Sequence, residues 1–181
     1  GESVAGESSA WRHLYGIGAA AALVQLAAIL AYTVVLSVLG PKPASIEAYF
    51  ALQQADRLGS LLRGDLLFLF LIGAYLGTFP ALYVALRRVS PVAALFASLF
   101  TLVAVTLCFA AESTLALQHL GGLYAAATTE AQRARLLAAG EAIVAADMWH
   151  GSAAYLSGML LQGGGVLISL AMLRSRDFSK V

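Results

Sequence analysis

Four side chains at the ends of two long apolar runs have types that could do chemistry: Glu112 and His119, then Asp147 and His150. Two imidazoles with carboxylates can hold a zinc ion, which takes nitrogen and oxygen ligands in a tetrahedron. Two imidazoles can also ligate a haem iron. Glu112 and His119 are seven residues apart, so an unbroken helix would carry both on one face. Asp147 and His150, three apart, share a face as well. The spacing matches no established metal motif, and the same groups could instead cap helix ends and pair with Arg133 or Arg135. His13 belongs to the other membrane face and cannot join them. Gly163-Gly164-Gly165 lies inside an apolar run with no lysine after it, so a phosphate-binding loop lacks its parts. The single cysteine, Cys108, sits between Leu107 and Phe109 and reads as a small core hydrophobe. It also excludes an intrachain disulfide framework and a multi-cysteine metal site. No catalytic residue and no cofactor is specified by these residues.

The elements that must position such groups are set by hydropathy. Of the 181 residues, 60% are hydrophobic and 12% charged, with mean hydropathy +0.82. An ordinary water-soluble domain carries about 25% charged residues, so soluble, disordered and collagenous classes are excluded. A net charge of +1 excludes nucleic-acid binding driven by bulk charge. Four runs lack Asp, Glu, Lys, Arg and His: Leu14–Leu39, Leu66–Leu86, Val89–Ala111 (interrupted by no charge) and Gly151–Leu173. Each reaches the roughly 20 residues that a helix needs to cross about 30 Å of hydrocarbon. Inside a bilayer the backbone must satisfy itself, which makes these runs helices. The expected fold is an all-α membrane protein with four transmembrane helices and two outer-face amphipathic helices. Residues 1–13 read as a flexible tail and 14–181 as one domain. Because the chain starts with Gly rather than Met, something upstream is expected to have been removed or to be missing.

Charge sets the expected orientation. The link between the second and third runs is short and holds Arg87 and Arg88, the kind of loop the positive-inside rule weighs most. Placing it inside puts Arg12, Arg174, Arg176 and Lys180 inside too. Six basic and three acidic side chains then lie inside, against five basic and seven acidic outside. Both termini are expected to be cytoplasmic, with Trp11 and Trp149 as interfacial anchors.

Two outer segments should be more than loops. Gly40-Pro41-Lys42-Pro43 ends the first span, and Ser45 can cap a short helix with Ile46, Tyr49 and Phe50 on one face. Thr129 and Gln132 have capping-box spacing ahead of a helix with Leu136, Leu137, Ile143, Val144 and Met148 at helical intervals. A weak repeat relates the halves: Leu61-Leu62-Arg63-Gly64-Asp65 resembles Ile143-Val144-Ala145-Ala146-Asp147, so each half places an acid where a span begins. Small residues that let helix backbones approach are Gly73 and Gly77 in the second span, Gly18 and Ala22 in the first, and Ala154, Gly158 and Gly165 in the fourth. Pro80 should kink the second span, with Thr78 re-satisfying the opened turn.

The segment from Tyr124 to Lys180 carries a family likeness. It contains Ala126-Ala127-Thr128-Thr129-Glu130-Ala131-Gln132-Arg133, Leu136-Leu137-Ala138-Ala139-Gly140-Glu141-Ala142, His150-Gly151, then Ile168 through Arg176, and Phe178-Ser179-Lys180. It resembles a bacterial multi-pass family catalogued as domain of unknown function 4386. The first half is similar to that family only in layout. The resemblance implies a helical protein of the bacterial inner membrane with no assigned activity, and members that continue through further spans after the Phe-Ser-Lys segment. The leading expectation for function is a non-enzymatic accessory or scaffold subunit, packed in the lipid bilayer against other membrane subunits or itself. The alternatives are a metal- or cofactor-binding protein or enzyme using the Glu112/His119/Asp147/His150 cluster, and a carrier for an apolar small molecule.

Overall fold

At Gly40 the first helix ends in the left-handed region, with φ at +81° and the Gly40 amide donating to the Leu36 carbonyl at 3.1 Å. Glycine enters that region without the Cβ penalty that other residues meet. Pro41 and Pro43 then prevent helix from resuming until Ser45, whose hydroxyl accepts from the Ala48 amide, as its sequence position predicts. These contacts are seen in a computed structural model that describes residues 2–175, with side chains from Trp11 onward.

The elements are α1 (Glu2–Leu39), α2 (Ile46–Ala55), α3 (Arg57–Leu62), α4 (Leu66–Gly73), α5 (Tyr75–Leu86), α6 (Pro91–Ala110), α7 (Thr114–Ala126), α8 (Glu130–Ala145) and α9 (Ser152–Arg174). Among the described residues, every regular element is a helix. Four stretches are long and apolar enough to cross a membrane: Trp11–Leu39, Arg57–Leu86, Pro91–Ala126 and Ser152–Arg174. The segment expected to be a tail departs from expectation, because α1 is helical from Glu2. Glu2, Ala5, Glu7 and Ala10 are good helix formers.

The second span breaks at Ala74, between α4 and α5. Pro80 sits inside α5. A proline ring crowds the carbonyl four residues back, here that of Leu76, and the helix yields just ahead of that point. Thr78 Oγ1 donates to the Ala74 carbonyl at 3.1 Å, which occupies an acceptor at the break itself. Gly73 closes α4 there.

The chain forms two compact units. One comprises the described residues up to Ala27, Phe70–Thr106 and those from Leu156 onward. Its core is Phe79, Leu86, Ala94, Ala97, Ile168 and Ala171. Backbone approach replaces bulk where small residues meet. A Cβ added at Gly77 would lie 2.8 Å from Ala21 Cβ, and one at Gly18 would lie 2.4 Å from Ala81 Cβ. Gly77 and Gly18 thus let α1 and α5 approach closely. The fourth span departs from expectation. A Cβ on Gly158 or Gly165 meets nothing within 4 Å, whereas one on Gly164 would lie 3.1 Å from the Ala97 carbonyl and 3.2 Å from Thr101 Oγ1. Ser157, Gly164, Ile168 and Ala171 form the buried stripe, one residue and about 100° away from the expected one.

The other unit holds Ala28–Leu69 and Leu107–Tyr155. Ile46, Tyr49 and Phe50 of α2 pack with Leu117 of α7, and Leu137, Ile143 and Val144 of the α8 segment close over them. Phe50 and Tyr124 stack at 5.3 Å between centroids. Thr129 Oγ1 accepts from the Gln132 amide, as its spacing predicts, while the Gln132 side chain returns to the Thr128 amide, one residue earlier than a capping box requires. Cys108 is buried.

Candidate functional site

The second unit contains a buried charge cluster, and its members arrive from three turns. Lys42 is presented by the Gly-Pro-Lys-Pro turn after α1. Asp65 precedes α4. It is fixed there because its amide donates to Thr114 Oγ1 at 2.9 Å and its carbonyl accepts the Leu69 amide. Gly64 permits that approach, since a Cβ there would lie 2.5 Å from Thr114 Cγ2. Asp147 lies in the turn from α8 to α9. Its Oδ1 accepts the amides of Trp149 at 2.8 Å and His150 at 3.0 Å, the Asx-turn geometry that short acidic side chains favour.

Asp65 and Asp147 are 6% and 2% exposed. Between them sits the Lys42 ammonium, 3.5 Å from Asp65 Oδ2 and 4.0 Å from Asp147 Oδ2, and 5.8 Å from the centre of the Tyr49 ring. Buried carboxylates at this depth require a countercharge and hydrogen bonds. Trp149 Nε1 donates to Asp65 Oδ1 at 2.7 Å, and its ring rests against Phe68 at 4.7 Å. His150 Nδ1 lies 2.9 Å from Asp147 Oδ1. An ionised carboxylate only accepts, so Nδ1 carries the proton in this contact. Asp147 Oδ2 makes no hydrogen bond at all.

Beneath this cluster Tyr49, Ser60, Gln53 and Gln118 form a buried network. Gln118 Nε2 donates to Ser60 Oγ at 2.7 Å and to the Tyr49 hydroxyl at 3.4 Å, and Gln53 Nε2 donates to the Gln118 carbonyl at 2.6 Å. Glycine at 121 leaves room for the Gln53 amide, since a Cβ there would fall 1.8 Å from Gln53 Oε1 and displace it. Burial pushes the Tyr49 phenol above its ordinary value of 10.0. The Gln118 hydrogen bond opposes that rise, and the Asp65 and Glu112 charges add to it. A raised folded-state pKa means that the folded chain holds its proton longer than the unfolded chain. The stability this contributes is complete below pH 10 and falls as pH rises above it. Unfolding followed between pH 8 and 11 should show an alkaline loss of stability that Tyr49→Phe removes. Parallel curves for parent and variant would show that Tyr49 does not titrate on unfolding.

The four residues with metal-ligand potential are not brought together. Among the described residues no three His, Cys, Asp or Glu side chains are grouped as a metal ion needs. The reason is the break at Ala111–Ser113, which ends the shared helix face. Glu112 Oε1 instead accepts the Thr114 amide and caps α7, and His119 is exposed. Only Asp147 and His150 meet. Arg133 pairs with Glu130 at 3.4 Å rather than with any of the four. Two members of the cluster escape the sequence reading, Lys42 and the Trp149 indole. The available signal is Lys42 standing between two prolines next to a helix end, together with the matched acids at 65 and 147.

A cavity of about 860 Å³ opens beside the cluster, with Lys42, Ile46, Val144, Asp147, Trp149 and His150 on its wall. Compared with known proteins, the chain matches no family model, no curated protein and no solved structure.

Proposed function

We propose that this chain is an integral protein of a bacterial inner membrane, crossing it four times with both termini cytoplasmic. In this reading it acts without catalysis, as an accessory or scaffold subunit packed against other membrane proteins or a second copy of itself. The observation that carries this reading is the first span. Its most apolar window has only 6% of its residues buried by the rest of the chain. Leu23, Leu26, Ile29, Leu30, Val34 and Val38 are all exposed and cover about half of the helix circumference. A helix apolar all round belongs in an apolar surrounding, and a span that its own chain hardly touches offers its length to lipid or to another subunit. The buried charges also support a non-catalytic role, since Asp65 and Asp147 are held by Lys42 and by local hydrogen bonds as parts of the packing. The resemblance to domain of unknown function 4386 agrees with this reading, and membership of that family is part of the proposal.

Two measurements test it. With Thr128→Cys and Val89→Cys in separate variants, an impermeant maleimide applied to intact spheroplasts should label residue 128 and reach residue 89 only after permeabilisation. Labelling of residue 89 from outside overturns the orientation. Photo-crosslinkers at Leu26 and Leu30 should give a discrete protein adduct in native membranes. Adducts to lipid alone at both positions overturn the subunit reading.

A further inference from the structure

We propose that the cavity beside Asp147 is a binding site for an organic cation, a primary ammonium group on an apolar body. This does not rest on the accessory-subunit reading. Asp147 and the exposed carboxylate of Glu141 stand on the cavity wall with Lys42, whose one ammonium Asp147 shares with the buried Asp65 behind it. The charge facing the cavity is therefore negative in sum whenever His150 is neutral. Asp147 is 2% exposed, its Oδ1 accepts three donors, and its Oδ2 accepts none. A buried carboxylate oxygen without a donor is costly, and an ammonium N–H is the donor that repays it best. Lys42 does not fill that role: its Nζ is 4.0 Å away and donates to Asp65 instead. Ile46 and Val144 supply apolar wall for the rest of the ligand, and the volume of about 860 Å³ falls in the range of small-molecule sites. An anion would be repelled by the uncompensated carboxylate, and a neutral hydroxyl could donate to it without supplying the missing positive charge. Such a head could come from an aminophospholipid or from a free amine.

The test uses the full chain in phosphatidylcholine nanodiscs, with Trp11→Phe so that emission reports on Trp149. The probes are 2-phenylethylammonium, 3-phenylpropanoate and 2-phenylethanol, which share a ring and differ in charge, with empty discs as blanks. Only the ammonium should shift Trp149 emission saturably. Asp147→Asn, which keeps the Oδ1 acceptor and removes the charge, should weaken that binding at least about tenfold. Should that variant not fold, Glu141→Gln at the exposed rim should weaken it about threefold. Equal binding of all three probes, no saturable ammonium binding, or a folded Asp147→Asn with unchanged affinity overturns the proposal, as does an unchanged Glu141→Gln where it is the variant used. Repeating the titration with phosphatidylethanolamine in the discs separates the sources. Both outcomes uphold the site: weakened probe binding assigns it to lipid, and unchanged binding to a free amine.

Discussion

Lys42→Met should lower the stability of the protein by about 3 kcal/mol, the bottom of the range for removing one partner of a buried ion pair. The lower end applies because the Lys42 side chain is 24% exposed, so water already screens part of the attraction. The variant leaves two buried carboxylates without their cation. The expected result is a clear drop in melting temperature in detergent or nanodiscs. The combination Lys42→Met, Asp65→Asn, Asp147→Asn should recover most of it, because the amide oxygens can still accept from Trp149 and His150 while the unpaired charges are gone. Such recovery is the non-additivity expected of groups that act as one network. If Lys42→Met melts with the parent, the ammonium is not the countercharge.

Gly77→Leu should cost about 2–3 kcal/mol, the usual penalty for forcing bulk into a packed contact. The first atom of the new side chain already falls 2.8 Å from Ala21 Cβ and 3.4 Å from Ile17 Cγ2. Relief requires α1 and α5 to separate, and small-residue contacts are what let neighbouring spans approach closely. Gly158→Leu and Gly165→Leu supply the internal contrast, since both positions face open space and should leave the melt within about 0.5 kcal/mol of the parent. Equal effects at positions 77, 158 and 165 would mean that leucine acts on the helices themselves rather than on the α1–α5 contact.

These two predictions also mark how far the sequence could be read. Four spans were legible because length and the absence of charge decide them, and the bilayer leaves the backbone few alternatives. The caps at Ser45 and Thr129 were legible because a cap involves only residues within one turn. Small-residue spacing found the Gly77 stripe but missed by one position in α9. An i, i+4 pattern says which residues share a stripe, not which stripe meets a neighbour. Glu112 and His119 failed as a pair because their face depended on an unbroken helix, and the chain breaks beside Glu112. Asp65 and Asp147 could be matched by position. Their common partner could not be read, because Lys42 reaches Asp147 only after α2, α7 and α8 have packed, and no local pattern encodes a contact across so much chain.

The three-turn meeting of Lys42, Asp65 and Asp147 has a consequence for biogenesis. Asp65 follows Lys42 by 23 residues and is made within seconds of it. Asp147 comes 82 residues after Asp65, which at roughly 5–20 residues per second is a delay of about 4–16 s. Throughout that interval the nascent chain holds a lysine and an aspartate in a half-built cluster, with the cap of Trp149 and His150 not yet synthesised. Assembly of this half of the protein is therefore completed after translation of the last turn before α9, and a ribosome pause before that turn would prolong the exposure of the unfinished site to the insertion and quality-control machinery.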